Sequence, residues 1–278
     1  MFDNVVIGVD DYERGLDTIT LAQALMRGYG VVSLVHVEVL QREPSPEADT
    51  RPDDERQRFG LERLRRLRDE AQIAATMSRI RAPTVRRGLH DFAAARGADM
   101  MVIGAGSPNP VEQMFLGDEA REVLDDAPCA VAVAPRGYAA RAHTLRTIGV
   151  AYDGSVESEE ALAVARTLAA ERQVALSTFE AVHAPAYARD IWDVEGEIDE
   201  RLEHARQRMA ALGDVEPHAA LTDDTVAALR EFGGSVDLLV LGAHKRRRPD
   251  SGLPLDRSKA QRLADRPPAP LLVLSTVK

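Results

Sequence analysis

Apolar runs rich in Val stand at residues 4–9 and 31–39 (VVSLVHVEV). Runs of this kind, with little alternation, are expected of strands buried on both faces. Between them Leu16, Ile19, Ala22, Leu25 and Met26 recur at helical spacing, and Gly28 and Gly30 read as the end of that helix. Gln41–Pro52 holds three prolines and reads as a loop. Asp53–Met77 follows as a long charged helix with Leu61, Leu64, Leu67, Ala71 and Ala74 along one face. The pattern then predicts a short strand near Thr84–Arg86, a helix at about 89–97, and strands at 99–104 and 129–134. Asp118–Leu124 reads as a fourth helix between those last two strands.

The same order occurs twice. Asn4-Val-Val-Ile-Gly-Val-Asp10 is answered by Arg146-Thr-Ile-Gly-Val-Ala-Tyr-Asp153, and Ala98-Asp-Met-Met-Val-Ile-Gly104 by Val236-Asp-Leu-Leu-Val-Leu-Gly242. Ala127-Pro-Cys-Ala-Val-Ala-Val-Ala is answered by Pro268-Ala-Pro-Leu-Leu-Val-Leu-Ser275. A period this long means duplicated domains rather than a solenoid. In the second copy, strands fall near 146–152, 174–182, 215–220, 236–242 and 270–275, and helices near 156–171, 190–212, 223–232 and 257–264. Strand and helix in alternation imply parallel sheets with helices on both faces. The expectation is an α/β chain of two domains, residues 1–140 and 141–278, with Arg136–Arg141 as the linker.

Composition narrows the function classes. The 278 residues carry a net charge of −10, and residues 1–143 and 144–278 contribute −5 each, so neither half is a basic domain built for a phosphate backbone. Aromatic residues make up only 4% of the chain, too few for stacking platforms. The single Cys129 lies in the apolar run CAVAVA, reads as packing, and fits a reducing compartment. The amino terminus, MFDNVVIGVDD, has no basic leader region, and no stretch reaches the roughly 18 apolar residues of a membrane span. The expectation is a soluble cytoplasmic protein.

In open parallel sheets, ligands bind beyond the carboxyl ends of the strands, where strand order reverses. Asp10-Asp11-Tyr12 and Asp153-Gly154-Ser155 follow the first strands, and Ser155 is placed to cap a helix. Gly104-Ala-Gly106-Ser107 and Gly242-Ala-His244-Lys245 follow the fourth. Gly117-Asp118 opens the fourth helix, where an N-terminus suits an anion. No G-x-x-x-x-G-K-[ST] or G-x-S-x-G occurs, and a dinucleotide fingerprint starting at Gly104 fails at Asn109. The seven histidines form no H-E-x-x-H and no close set with Cys129, so no metal site is indicated and no catalytic residue stands out. His36 and His183 at strand ends read as hydrogen-bonded structural residues, Asp223-Asp224 as a helix cap, and Trp192 as packing.

In the order and spacing of these motifs, twice over, the chain resembles a tandem universal stress protein. The resemblance implies two flavodoxin-like (adenine nucleotide alpha hydrolase-like) domains, each a five-stranded parallel sheet, paired as a pseudo-dimer through their last strands. A homodimer of chains is compatible with it. ATP-binding members share Gly, two residues, Gly, nine residues, Gly, then Ser or Thr. In the first copy Gly104 and Gly117 match, while Ser107 and Asp118 replace the second Gly and the hydroxyl residue, and Asp11 replaces a turn glycine. By the family pattern Asp10 and Val37 contact adenine and ribose. Asp118 would face a triphosphate, and like charges ~4 Å apart repel by about 1–4 kcal/mol between bulk water and a protein surface. In the second copy Asp153, Gly154, Ser155, Val182 and Gly242 match and Ser258 keeps a hydroxyl, but no glycine stands at the second position; Lys245–Arg248 there read first as a solvated basic loop and otherwise as a cluster that binds an anion through side chains. The implied ligand is an adenine nucleotide, ATP with magnesium, or another anion. Three readings stay open: a stress-response protein switched by nucleotide, an interaction module with degenerate sites and a protein partner, and a slow ATPase.

Overall fold

The computed structural model describes residues 2–10, 12–40, 53–106, 119–141, 144–183, 195–243 and 258–275. They form two compact units, essentially Met1–His143, and Thr144–Leu263 with Pro267–Thr276. Among the described residues the first unit runs β1 (Phe2–Gly8), α1 (Tyr12–Leu25), β2 (Met26–Val39), α2 (Asp53–Glu70), β3 (Thr76–Ala82), α3 (Val85–Arg96), β4 (Met100–Gly104), α4 (Glu119–Leu124) and β5 (Ala130–Ala134). The second runs β6 (Thr147–Ala151), α5 (Val156–Arg172), β7 (Ala175–Val182), α6 (Glu195–Ala210), β8 (Glu216–Leu221), α7 (Thr225–Gly233), β9 (Leu238–Ala243), α8 (Lys259–Ala264) and β10 (Leu271–Ser275). No described helix is long and apolar enough to cross a membrane.

Each unit is an α/β domain with a parallel sheet, ordered β3-β2-β1-β4-β5 in the first and β8-β7-β6-β9-β10 in the second. Burial of both sheet faces explains the Val runs, with Val5, Val6 and Ile7 at 0% exposure. Adjacent residues point to opposite faces. A Cβ on Gly8 would touch Leu89 of α3, whereas the Val9 side chain reaches Gly15 of α1. So α1 and α2 cover one face and α3 the other, with His90 of α3 hydrogen-bonded to the Val123 carbonyl of α4 at 2.8 Å. Strand order reverses between β1 and β4, which sets the ligand crevice at their carboxyl ends.

The Asp of each fourth-strand motif has a structural task that the sequence does not announce. Asp99 accepts the backbone N–H groups of Asp3 (2.7 Å) and Asn4 (3.1 Å). Asp237 accepts those of Arg146 (2.9 Å) and Thr147 (3.0 Å) together with the Thr147 hydroxyl. Each carboxylate ties the start of the first strand to the fourth.

Three local expectations are corrected. The long helix ends at Glu70 rather than Met77, where Gln72 turns left-handed at φ 50°, and Thr76–Ala82 is the third strand. Thr84–Arg86 is no strand: the Thr84 hydroxyl accepts the Arg87 N–H and caps α3. Gly28 and Gly30 do not end a helix, because α1 stops at Leu25 and β2 already runs from Met26. The segment 136–141, expected as a linker, is docked on the first unit. Buried Asp17 accepts the N–H groups of Gly137 (2.8 Å) and Ala139 (2.7 Å), and Tyr138 is buried between them.

Candidate functional site

In the first unit a cavity of about 160 Å3 opens at the carboxyl ends of the strands, on the α3 and α4 side of the sheet. Val35, Val37, Leu89, Ile103 and Val123 wall it, Gly104 borders it, and Asp10 stands at its edge. Gly8 keeps it open, since a Cβ there would lie 3.1 Å from Leu89. Asp10 is not a bare negative charge. Arg14, one turn further on, donates to its carboxylate at 2.7 Å, and Arg63 of α2 donates to its backbone carbonyl at 2.6 Å. The Arg14 stem also runs past Gly104, with Cδ 3.7 Å from where a Cβ would sit. The acidity that the sequence suggests at this crevice is thus offset by two arginines, neither marked by a motif. His36 Nδ1 donates to the Val9 carbonyl at 2.9 Å on the opposite face, a structural bond as expected.

In the second unit the matching residues are engaged with one another. The Asp153 carboxylate accepts the Ser155 N–H (3.1 Å) and hydroxyl (2.5 Å). Gly154 adopts φ 76°, which suits glycine, and Ser155 caps α5 by accepting the Ser158 N–H at 3.2 Å. Burial works to raise the Asp153 pKa. The hydrogen bonds from Ser155 and Ser158 and the charge of Lys259 outweigh it and hold the carboxyl below its ordinary range. Tyr152 donates to Glu159, and burial plus that carboxylate push the phenol up to about 12. Ser258 and Gln261 cap α8 reciprocally, Ser258 Oγ accepting the Gln261 N–H at 3.2 Å and Gln261 Oε1 accepting the Ser258 N–H at 2.9 Å. That hydroxyl is therefore committed to the helix end. Register pairs Gly8 with Val35 and Ala151 with Phe179, so Val37 has its positional counterpart in Ala181, and Val182 lies one residue further with its side chain on the other face.

Gly104 and Gly242 match each other in sequence for different physical reasons. A Cβ at Gly242 would fall 2.3 Å from the Glu157 carbonyl oxygen, because the start of α5 presses on the end of β9. At Gly104 the nearest atom is at an ordinary 3.6 Å. Gly242→Ala is therefore expected to cost about 1–3 kcal/mol by overpacking, and Gly104→Ala to stay within about 0.5 kcal/mol. Urea midpoints of the two variants check this, and equal losses would contradict it.

Cys129 is buried, and desolvation, followed by the charge of Asp99, pushes its thiol up to about 12, as suits packing rather than attack. Asp224, not Asp223, caps α7. Ser107, Gly117, Asp118, Trp192 and Lys245–Arg248 lie outside the described residues.

The sequence model of the Universal stress protein family matches residues 1–135 and again 144–275. A comparison with curated proteins finds no match. Among solved structures, a functionally unknown protein from Pseudomonas aeruginosa PAO1 is 16% identical with a TM-score of 0.66, the match covering 99% of this chain and 92% of that one. A universal stress protein from Archaeoglobus fulgidus DSM 4304 is 15% identical with a TM-score of 0.62, over 98% and 96%. The cytoplasmic domain of a prokaryotic cation chloride cotransporter is 12% identical with a TM-score of 0.52, over 99% and 96%. At these identities the likeness is one of fold, and the last shows the fold at work inside a different kind of protein. With its family model matched twice in succession along the sequence, the chain belongs to the universal stress protein family as a tandem member.

Proposed function

We propose that the protein acts in a stress response by binding rather than turnover, with an adenine nucleotide as ligand and a protein partner that reads the liganded state. The observation that carries this reading is the first-unit cavity at the switch point. An engineered apolar cavity of about 150 Å3 takes up benzene, so about 160 Å3 of aliphatic wall suits one ring system. The residues present fit the base and sugar of a nucleotide. Val37 and Leu89 offer apolar faces to the ring, Asp10 can accept from ribose hydroxyls, and Arg14 adds a cation beside Gly104. That the rim carboxylate is already ion-paired favours holding a ligand over catalysing its hydrolysis. In the same reading the copies divide near residue 140, and the chain works in the cytoplasm.

The purified protein, heat-denatured, is expected to release adenine nucleotide. Its melting transition is expected to rise with ATP and magnesium, a ligand at 100 times its Kd adding ~2.7 kcal/mol. No shift at millimolar ATP, with or without magnesium, would overturn the nucleotide reading.

A further inference from the structure

The two crevices can be compared position by position, because the sheets share their register and the caps Thr84 and Asp224 align α3 with α7. Val35 of the first unit corresponds to Phe179, Gly8 to Ala151, and Val123 of α4 to Leu263 of α8. Each exchange adds carbon to the space that is open in the first unit. Phe179 is buried and stacks on Phe232 of α7 with ring centroids 4.9 Å apart, and Phe232 in turn fills the space left by Gly149. At the mouth, Val39 and Val85 correspond to His183 and Thr225. In place of two aliphatic walls, the second unit has a hydrogen bond of 3.1 Å between His183 Nε2 and the Thr225 hydroxyl, joining the end of β7 to the start of α7.

We infer that ligand uptake belongs to the first unit alone, and that the second unit's crevice is filled by its own side chains and latched at its mouth by His183 and Thr225. The ligand half of this statement rests on the binding reading above. The packing half stands by itself. A filled crevice also accounts for the close match of Asp153-Gly154-Ser155 to the family turn: those residues build a left-handed turn and a helix cap, which a domain needs with or without a ligand.

Xenon tests the packing half without any nucleotide, since it enters apolar cavities large enough to hold it. In crystals of the full chain under xenon pressure, density is expected among Val37, Leu89 and Val123 and not beside Phe179 or Leu229. Phe179→Val is expected to create a second xenon position. His183→Val, which removes only the latch, serves if the first variant does not fold, and is expected to raise hydrogen exchange at the start of α7. Calorimetric titration of the wild-type chain with ATP and magnesium is expected to saturate at one nucleotide per chain. Xenon beside Phe179 in the wild type, or saturation at two nucleotides, overturns the inference. If xenon distributes as expected but no ATP binds, the nucleotide reading falls and the filled second crevice remains.

Discussion

Asp237→Ala is expected to lower the stability of the second unit by about 2–3 kcal/mol, the range for hydrogen bonds to a charged group whose donors lose their partner. Three donors converge on this carboxylate: the N–H groups of Arg146 and Thr147 and the Thr147 hydroxyl. They hold the first residues of β6 beside the start of β9, so their loss frays the central pair of the sheet. Asp237→Asn keeps one accepting oxygen and is expected to recover roughly half of the loss. Asp99→Ala is the matching experiment in the first unit, where two N–H groups lose their acceptor. Both aspartates stand at the amino ends of the strands, across the sheet from the crevice. Denaturant midpoints should therefore fall while ligand affinity measured well below the transition stays unchanged.

Asp17→Ala is expected to cost about 3 kcal/mol and to expose the segment that follows β5. Asp17 is only 5% exposed, and its two oxygens each take one backbone N–H, from Gly137 at 2.8 Å and Ala139 at 2.7 Å. Removing the carboxylate leaves two part-buried N–H donors without this partner, at about 1–3 kcal/mol each before relaxation and access of water. Trypsin supplies the readout, because Arg136 and Arg141 flank the pinned residues and are themselves exposed. Cleavage there is expected to accelerate at least tenfold in the Ala variant and less in Asp17→Asn. Equal cleavage of wild type and variant would show that the segment is held by something other than Asp17.

The architecture was legible because it rests on repetition and burial. Val runs repeated with helical stretches between them imply parallel strands whatever the details, and the duplicated D-apolar-apolar-V-apolar-G motif fixes which strand is which. Boundaries were lost where one physical signal imitated another. Ala71 and Ala74 continue the spacing of Leu61, Leu64 and Leu67, so the helix pattern outlasts the helix, which a single left-handed residue, Gln72, brings to an end. Thr84 and Val85 are β-branched and read as strand, yet Thr84 serves as a cap. The docking of residues 136–141 was hidden for another reason. Arg-Gly-Tyr-Ala-Ala-Arg is loop-like in composition, and its anchor, Asp17, lies about 120 residues earlier in the chain.

The site was legible in part. Asp10, Val37 and Gly104, expected at the crevice, do border one cavity. Arg14 and Arg63 escaped notice because neither belongs to a motif, although an Arg four residues after an Asp at a helix start is a signal that spacing could have offered. The difference between the copies could not be read from the motifs at all. It resides in Phe179 against Val35 and in Gly242 against Gly104, where the identity of a residue matters less than what packs on it.

Ligand binding in the first unit is tested most directly by the melting of three proteins with increasing ATP and magnesium: the wild type, Asp10→Ala and Asp153→Ala. The stabilisation seen in the wild type is expected to disappear in Asp10→Ala and to persist in Asp153→Ala, whose own melting temperature is lower before any ligand is added. Stabilisation that survives in Asp10→Ala and disappears in Asp153→Ala would place the ligand in the second unit and contradict binding in the first.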